Sequence, residues 1–252
     1  MTSPDTPRPT STATASDADA QRHPAGRMNG RPTRPGWPEI LAAAAVYVLV
    51  FWLAPPAILA VTGDSEAVTG LALAALSGVM GLLAFAAAAV IRLRSWSALG
   101  VRRVSGRWVL IAVGAGLGAV LIGRLLAIAI VPLVGTGGDV QGSYGAAATS
   151  GPLGLVLQLL FIAVLTPIGE EFAFRGVLTN ALQRYGAVLS VIASTIVFAL
   201  AHGVNLALVP AVAVGAVSGV LFVRSKSVWP GVIVHAVNNA VGTGLTLLFA
   251  GA

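Results

Sequence analysis

The chain has 252 residues, of which 56% are hydrophobic and only 10% charged, with a formal net charge of +6. A soluble domain carries about a quarter charged residues, so this composition excludes a surface bathed in water and makes lipid the main solvent. The absence of cysteine excludes disulfides, zinc–thiolate sites and a cysteine nucleophile, and the positive charge does not point to nucleic acid, because it stands beside apolar runs.

Residues 1–36 are rich in Pro, Ser, Thr, Ala and Arg without apolar periodicity. Such a stretch cannot bury enough surface to offset its ordering entropy, which predicts a disordered cytoplasmic tail. It has no short apolar run ending in a small-residue cleavage site, so no signal peptide is expected there. From Trp37 to the end, long apolar runs alternate with short polar breaks, which predicts an all-α transmembrane domain over 37–252. About seven runs approach the ~20 residues needed to cross a bilayer, at roughly 40–61, 68–91, 108–132, 152–169 and beyond, 188–204, 206–223 and 229–249. Pro55 and Pro56 are expected to kink the first. The many glycines, Gly114, Gly116 and Gly118 among them, read as helix-packing positions.

Seven passes put nearly every basic residue on one side. Arg34 precedes the first run, Arg92 to Arg107 follow the second, Arg184 follows the fourth, and Arg224 and Lys226 separate the sixth from the seventh. The opposite loops hold Asp64, Glu66 and Asp139. The positive-inside rule then predicts a multi-pass inner-membrane protein with a cytoplasmic N-terminus. Arg124, inside the third run, stands apart and reads as a snorkelling or helix-pairing arginine.

Ionisable groups inside spans are costly and therefore informative. They reduce to three short segments. In the first, Glu171 and Arg175 stand at i and i+4, the favourable order for an ion pair, while Glu170 is turned by about 100° and has no local cation. A carboxylate left free in this way suits a general base. Pro167 and Gly169 are expected to loosen the helix before the pair and admit water or substrate. The second segment is Phe198 to His202, with Phe198 read as packing; the third is His235 to Asn239, whose side chains project together and can donate to one oxygen. Helical rise lets all four polar groups share a cavity, expected to open to the cytoplasmic side. Glu170, His202 and His235 are also a donor set for a divalent metal such as zinc, but no HExxH helix pair is present.

These segments resemble the motifs of the CAAX-protease and bacteriocin-processing (CPBP, or Abi) family: EExxxR as Glu170 to Arg175, FxxxH as Phe198 to His202, and HxxxN as His235 to Asn239. The resemblance covers roughly residues 150–245. It implies an intramembrane endopeptidase, commonly labelled a metalloprotease, that acts on membrane-anchored proteins or peptides. It further implies that Glu170 activates the attacking water, that His202 helps to hold it, that His235 and Asn239 form the oxyanion site, and that Glu171 and Arg175 support them. Two other readings of the same residues are a non-catalytic immunity or scaffold protein, and a small proton-coupled transporter. No internal repeat favours the transporter.

Overall fold

The computed structural model describes Met1 and residues 34–134 and 141–249. The predicted tail therefore lies almost entirely outside the described residues. Contacts divide the chain into Met1–Arg31 and Pro32–Ala252, and every element below belongs to the second unit.

The described residues form helices without strands: α1 (Trp37–Thr62), α2 (Glu66–Ala88, running on as a π-helical turn to Leu93), α3 (Gly106–Val134), α4 (Gly142–Thr149), α5 (Pro152–Tyr185), α6 (Ala187–Ala201), α7 (Leu208–Ser225) and α8 (Trp229–Phe249). Six of them, α1, α2, α3, α5, α7 and α8, are long and apolar enough to cross a membrane. The chain is thus a polytopic helical bundle and a multi-pass membrane protein. The expected fifth span is α6, only 15 residues long. At 1.5 Å per residue it covers about 22 Å, short of the ~30 Å hydrocarbon core. Its end and the following turn lie at membrane depth, which is tolerable only where the freed backbone is satisfied and lines a cavity. Asn205 does this, donating from Nδ2 to His202 O (2.9 Å) and accepting from Ala207 N (2.8 Å). Short α4 was not apparent in the sequence.

Helix α5 runs through the middle of the bundle, against α2 on one side and α6, α7 and α8 on the other. It is not broken before the glutamates. Pro167 and Gly169 are buried, and the helix continues past them to Tyr185. The backbone accommodates Pro167 by a π-helical stretch just before it, Leu159–Leu165. A second π-helical stretch, Phe172–Thr179, follows the glutamates. Gly169 has a different task. A Cβ there would collide with Gly78 O, and one on Gly81 would collide with the Gly169 backbone. Helices α2 and α5 therefore meet backbone to backbone, a contact open only to small residues.

One end of the bundle gathers the basic residues. Buried Glu39 accepts from Gly36 N at the start of α1 and from both Nε and Nη2 of Arg92 at the end of α2. Arg184 at the end of α5 donates to Pro35 O, and Lys226 after α7 donates to Gln183. Ser227 Oγ and Val228 N bond the carbonyls of Arg102 and Gly100 before α3. The alternation of charge along the sequence is thus a real sidedness of the fold.

Candidate active site

Glu170 lies about midway along α5 and is 3% exposed. Its Oε1 accepts a 2.5 Å hydrogen bond from Ser77 Oγ of α2, placed there by the glycine crossing one residue away. Its Oε2 has no hydrogen-bond partner among the described residues. That oxygen faces His202 Nε2 at 3.8 Å and His235 Nε2 at 4.0 Å. The three segments, far apart in sequence, therefore meet around one carboxylate oxygen.

Each histidine is oriented from its other nitrogen. His202, where α6 ends, has Nδ1 2.9 Å from Phe198 O. A carbonyl only accepts, so Nδ1 carries the proton and, in the neutral ring, Nε2 presents a lone pair to the site. His235 has Nδ1 3.4 Å from Glu171 Oε1, which makes Glu171 a neighbour of His235 as well as of Arg175. Gly231, one turn earlier on α8, permits this approach, since a Cβ there would collide with Glu171 Oε2.

The expected Glu171–Arg175 pair is present, Nη1 to Oε1 at 3.0 Å, with both side chains buried. Arg175 also donates from Nη2 to Gly215 O (3.1 Å) and lies over the Phe198 ring at 4.4 Å from its centroid. Phe198 is fully buried and is packing, as read from sequence, but of a particular kind. Its ring touches Phe174, Arg175, His202 and His235 together. Two buried carboxylates thus stand near one guanidinium, with the His235 ring between them, 4.0 Å from Glu170 Oε2 and 3.4 Å from Glu171 Oε1.

Asn239 also reaches the site, and its nearest partner is structural. Its Nδ2 donates to Ile162 O at 2.7 Å, and its Oδ1 accepts from Asn238. In the π-helical stretch of α5, Thr166 N bonds Phe161 O, five residues back. The next bond in that register would run from residue 167 to Ile162 O, and Pro167 has no N–H. The Asn239 amide fills the vacancy that the proline creates.

The donor spacing tests a metal. Tetrahedral zinc, with bonds of about 2.0–2.2 Å, sets its ligands about 3.4 Å apart. The 3.8 and 4.0 Å separations are wider, and no group of three or more His, Cys, Asp or Glu side chains among the described residues is set to hold a metal. As placed, these residues do not fit zinc. A single water at ~2.8 Å from each atom does span such gaps.

A cavity of about 640 Å³ adjoins the site. Glu170, His202, His235 and Asn239 line it, together with Ser77, Tyr47 on α1 and Arg124 on α3. From Glu170 the lining runs to Gln141 and Tyr144, Leu206 and Thr246, all towards the end opposite the basic residues. The expectation of a cavity opening on the basic side is therefore corrected. The His-bearing end of α8 is near the basic end, but the open space lies beyond it, where α6 stops short. The sequence reading missed Ser77, Tyr47 and Asn205. Ser77 had a signal: Gly70, Ala74, Gly78 and Gly81 recur at helical spacing on α2, marking the face that meets another backbone.

Residues 152–241 match the family model described as type II CAAX prenyl endopeptidase, Rce1-like. No curated protein and no solved structure matches the chain. The matched segment, about a third of the chain, is similar to the Rce1-like family and contains all seven residues of the three motifs, Glu170, Glu171, Arg175, Phe198, His202, His235 and Asn239.

Proposed function

We propose that this chain is an intramembrane endopeptidase of the CAAX type, cutting a peptide bond of a membrane-anchored protein or peptide with water activated by Glu170. The observation that carries this reading is the Glu170 carboxylate. One oxygen is fixed by Ser77, and the other is unbonded and faces both histidines over the cavity.

A water held there donates one proton towards Glu170 Oε2 and one towards His202 Nε2. As its oxygen attacks the scissile carbonyl carbon, Glu170 takes the first proton. The carbonyl oxygen becomes an oxyanion, and an imidazolium at His235, oriented by Glu171, donates to it from Nε2. Asn239 adds the Nδ2 proton that Ile162 does not use. On collapse of the intermediate the C–N bond breaks and Glu170 returns its proton to the leaving amine. Arg175 and Phe198 hold Glu171 and both rings in place. No step passes through a metal.

The test is cleavage of a lipid-tethered reporter peptide by purified protein in nanodiscs. Glu170→Gln keeps the shape and the Ser77 contact but cannot take a proton, and is expected to lower kcat by at least ~100-fold. Wild-type turnover is expected to persist after exhaustive chelation. Unchanged turnover in Glu170→Gln would sink the mechanism, and loss of turnover on chelation, restored by zinc, would replace it with a metal-bound water.

A further inference from the structure

Arg124 is a cation within a membrane-spanning helix, an expensive placement that ordinarily signals function. It forms no hydrogen bond or ion pair among the described residues. Both carboxylates of the catalytic segment face other partners. Val120, Arg124 and Ala127 recur at helical spacing, and all three line the cavity that holds Glu170 and His235. The guanidinium is thus an uncompensated charge on the wall of the site.

The rest of the wall is two-sided. Phe51 and Pro55 of α1 and Leu73 and Leu76 of α2 make an apolar side. Tyr144, Gln158, Asn238 and Thr243 provide polar groups elsewhere. Gln158 is 1% exposed and its Oε1 has no hydrogen-bond partner among the described residues, so a buried acceptor waits for a donor. A polypeptide backbone offers such donors. At about 640 Å³ the cavity is in the size range of sites that enclose one small ligand. It holds a few residues of chain, which favours a chain end over a continuous segment. The end of a polypeptide is either an ammonium or a carboxylate, and a planar guanidinium selects the carboxylate, which it can bind through two parallel hydrogen bonds.

We propose that Arg124 is a specificity residue that receives the free α-carboxylate of a peptide lying in this cavity, with Gln158 Oε1 accepting from its backbone. The proposal deepens the peptidase reading, and its test is made on binding so that the two can fail separately. Loss of cleavage in Glu170→Gln judges the peptidase. Binding is then measured in the Glu170→Gln background, in phosphatidylcholine nanodiscs. The probes are a palmitoylated, fluorescent decapeptide of Ala, Ser and Leu with a free carboxyl end, and its carboxamide twin.

The free acid is expected to bind at least about tenfold more tightly than the amide, the scale of a hydrogen bond to a charged group. Adding Arg124→Gln should bring the acid down to the affinity of the amide, and Arg124→Lys should keep part of the preference. Arg124 is exposed within its helix, so the variants are expected to fold, and an unchanged gel-filtration profile checks this. Equal binding of acid and amide by the Arg124 protein would overturn the proposal, as would a preference that survives Arg124→Gln. An arginine that merely reaches up to lipid phosphate gives the first of these outcomes.

Discussion

Asn239 shows how one side chain can be fixed by a proline on another helix. The Ile162 carbonyl is deprived of a backbone donor by Pro167, and the Asn239 amide replaces it. Leaving a buried carbonyl unpaired costs about 1–3 kcal/mol, so Asn239→Ala should destabilise the protein by that amount in thermal unfolding in micelles. The effect should depend on the proline. With Pro167→Ala an N–H becomes available to Ile162, and Asn239→Ala should then cost at least ~0.5 kcal/mol less than in the parent. Equal costs in both backgrounds would show that the amide serves something else. The motif spacing made Asn239 a candidate, but the carbonyl that engages it lies 77 residues away and left no trace in the local sequence.

At the scale of elements, the site depends on how closely α2 approaches α5. The crossing at Gly78, Gly81 and Gly169 leaves no room for a Cβ, and Ser77 reaches Glu170 because of it. Gly169→Ala should push the helices apart, destabilise by about 1–3 kcal/mol, and lower turnover beyond what the lost stability explains, because Glu170 loses its hydroxyl anchor. A variant of normal stability and activity would show that the helices yield without consequence. Helix α6 makes the opposite use of a short element. Its 15 residues stop inside the membrane, and that leaves His202 on a helix end beside open space. Hydropathy located a span there but not its early end, because Gly203 to Ala207 are no more polar than many residues within the flanking spans.

At the scale of the whole molecule, charge and cavity point to opposite ends. The basic residues gather where α1, α3, α6 and α8 begin, whereas the cavity lining runs to Tyr144 and Thr246 at the other end. We propose that the N-terminus is cytoplasmic, on the placement of the arginines and Lys226, and on that orientation the cavity would reach towards the exterior. A chain without cysteine allows a direct check. Thr246→Cys is expected to react with an impermeant maleimide on intact cells, and Ser105→Cys, at the basic end, only after the cells are broken. The reverse pattern would invert the orientation.

Composition alone determined that this is a membrane protein, because too few charges exist to cover a surface in water. Helical spacing paired Glu171 with Arg175, the scarcity of ionisable groups pointed to Glu170, His202 and His235, and the one-turn spacing from His235 added Asn239. These are local or summed properties, and the chain carries them before it folds. Tertiary structure decided that Ser77 holds Glu170, that Glu171 also faces His235, that Arg124 shares a cavity with Glu170, and that the cavity runs away from the basic end. Each of these joins different helices. Such meetings depend on which faces pack and how closely, and in a bilayer that is set by small residues on both partners at once, not by the hydropathy of either.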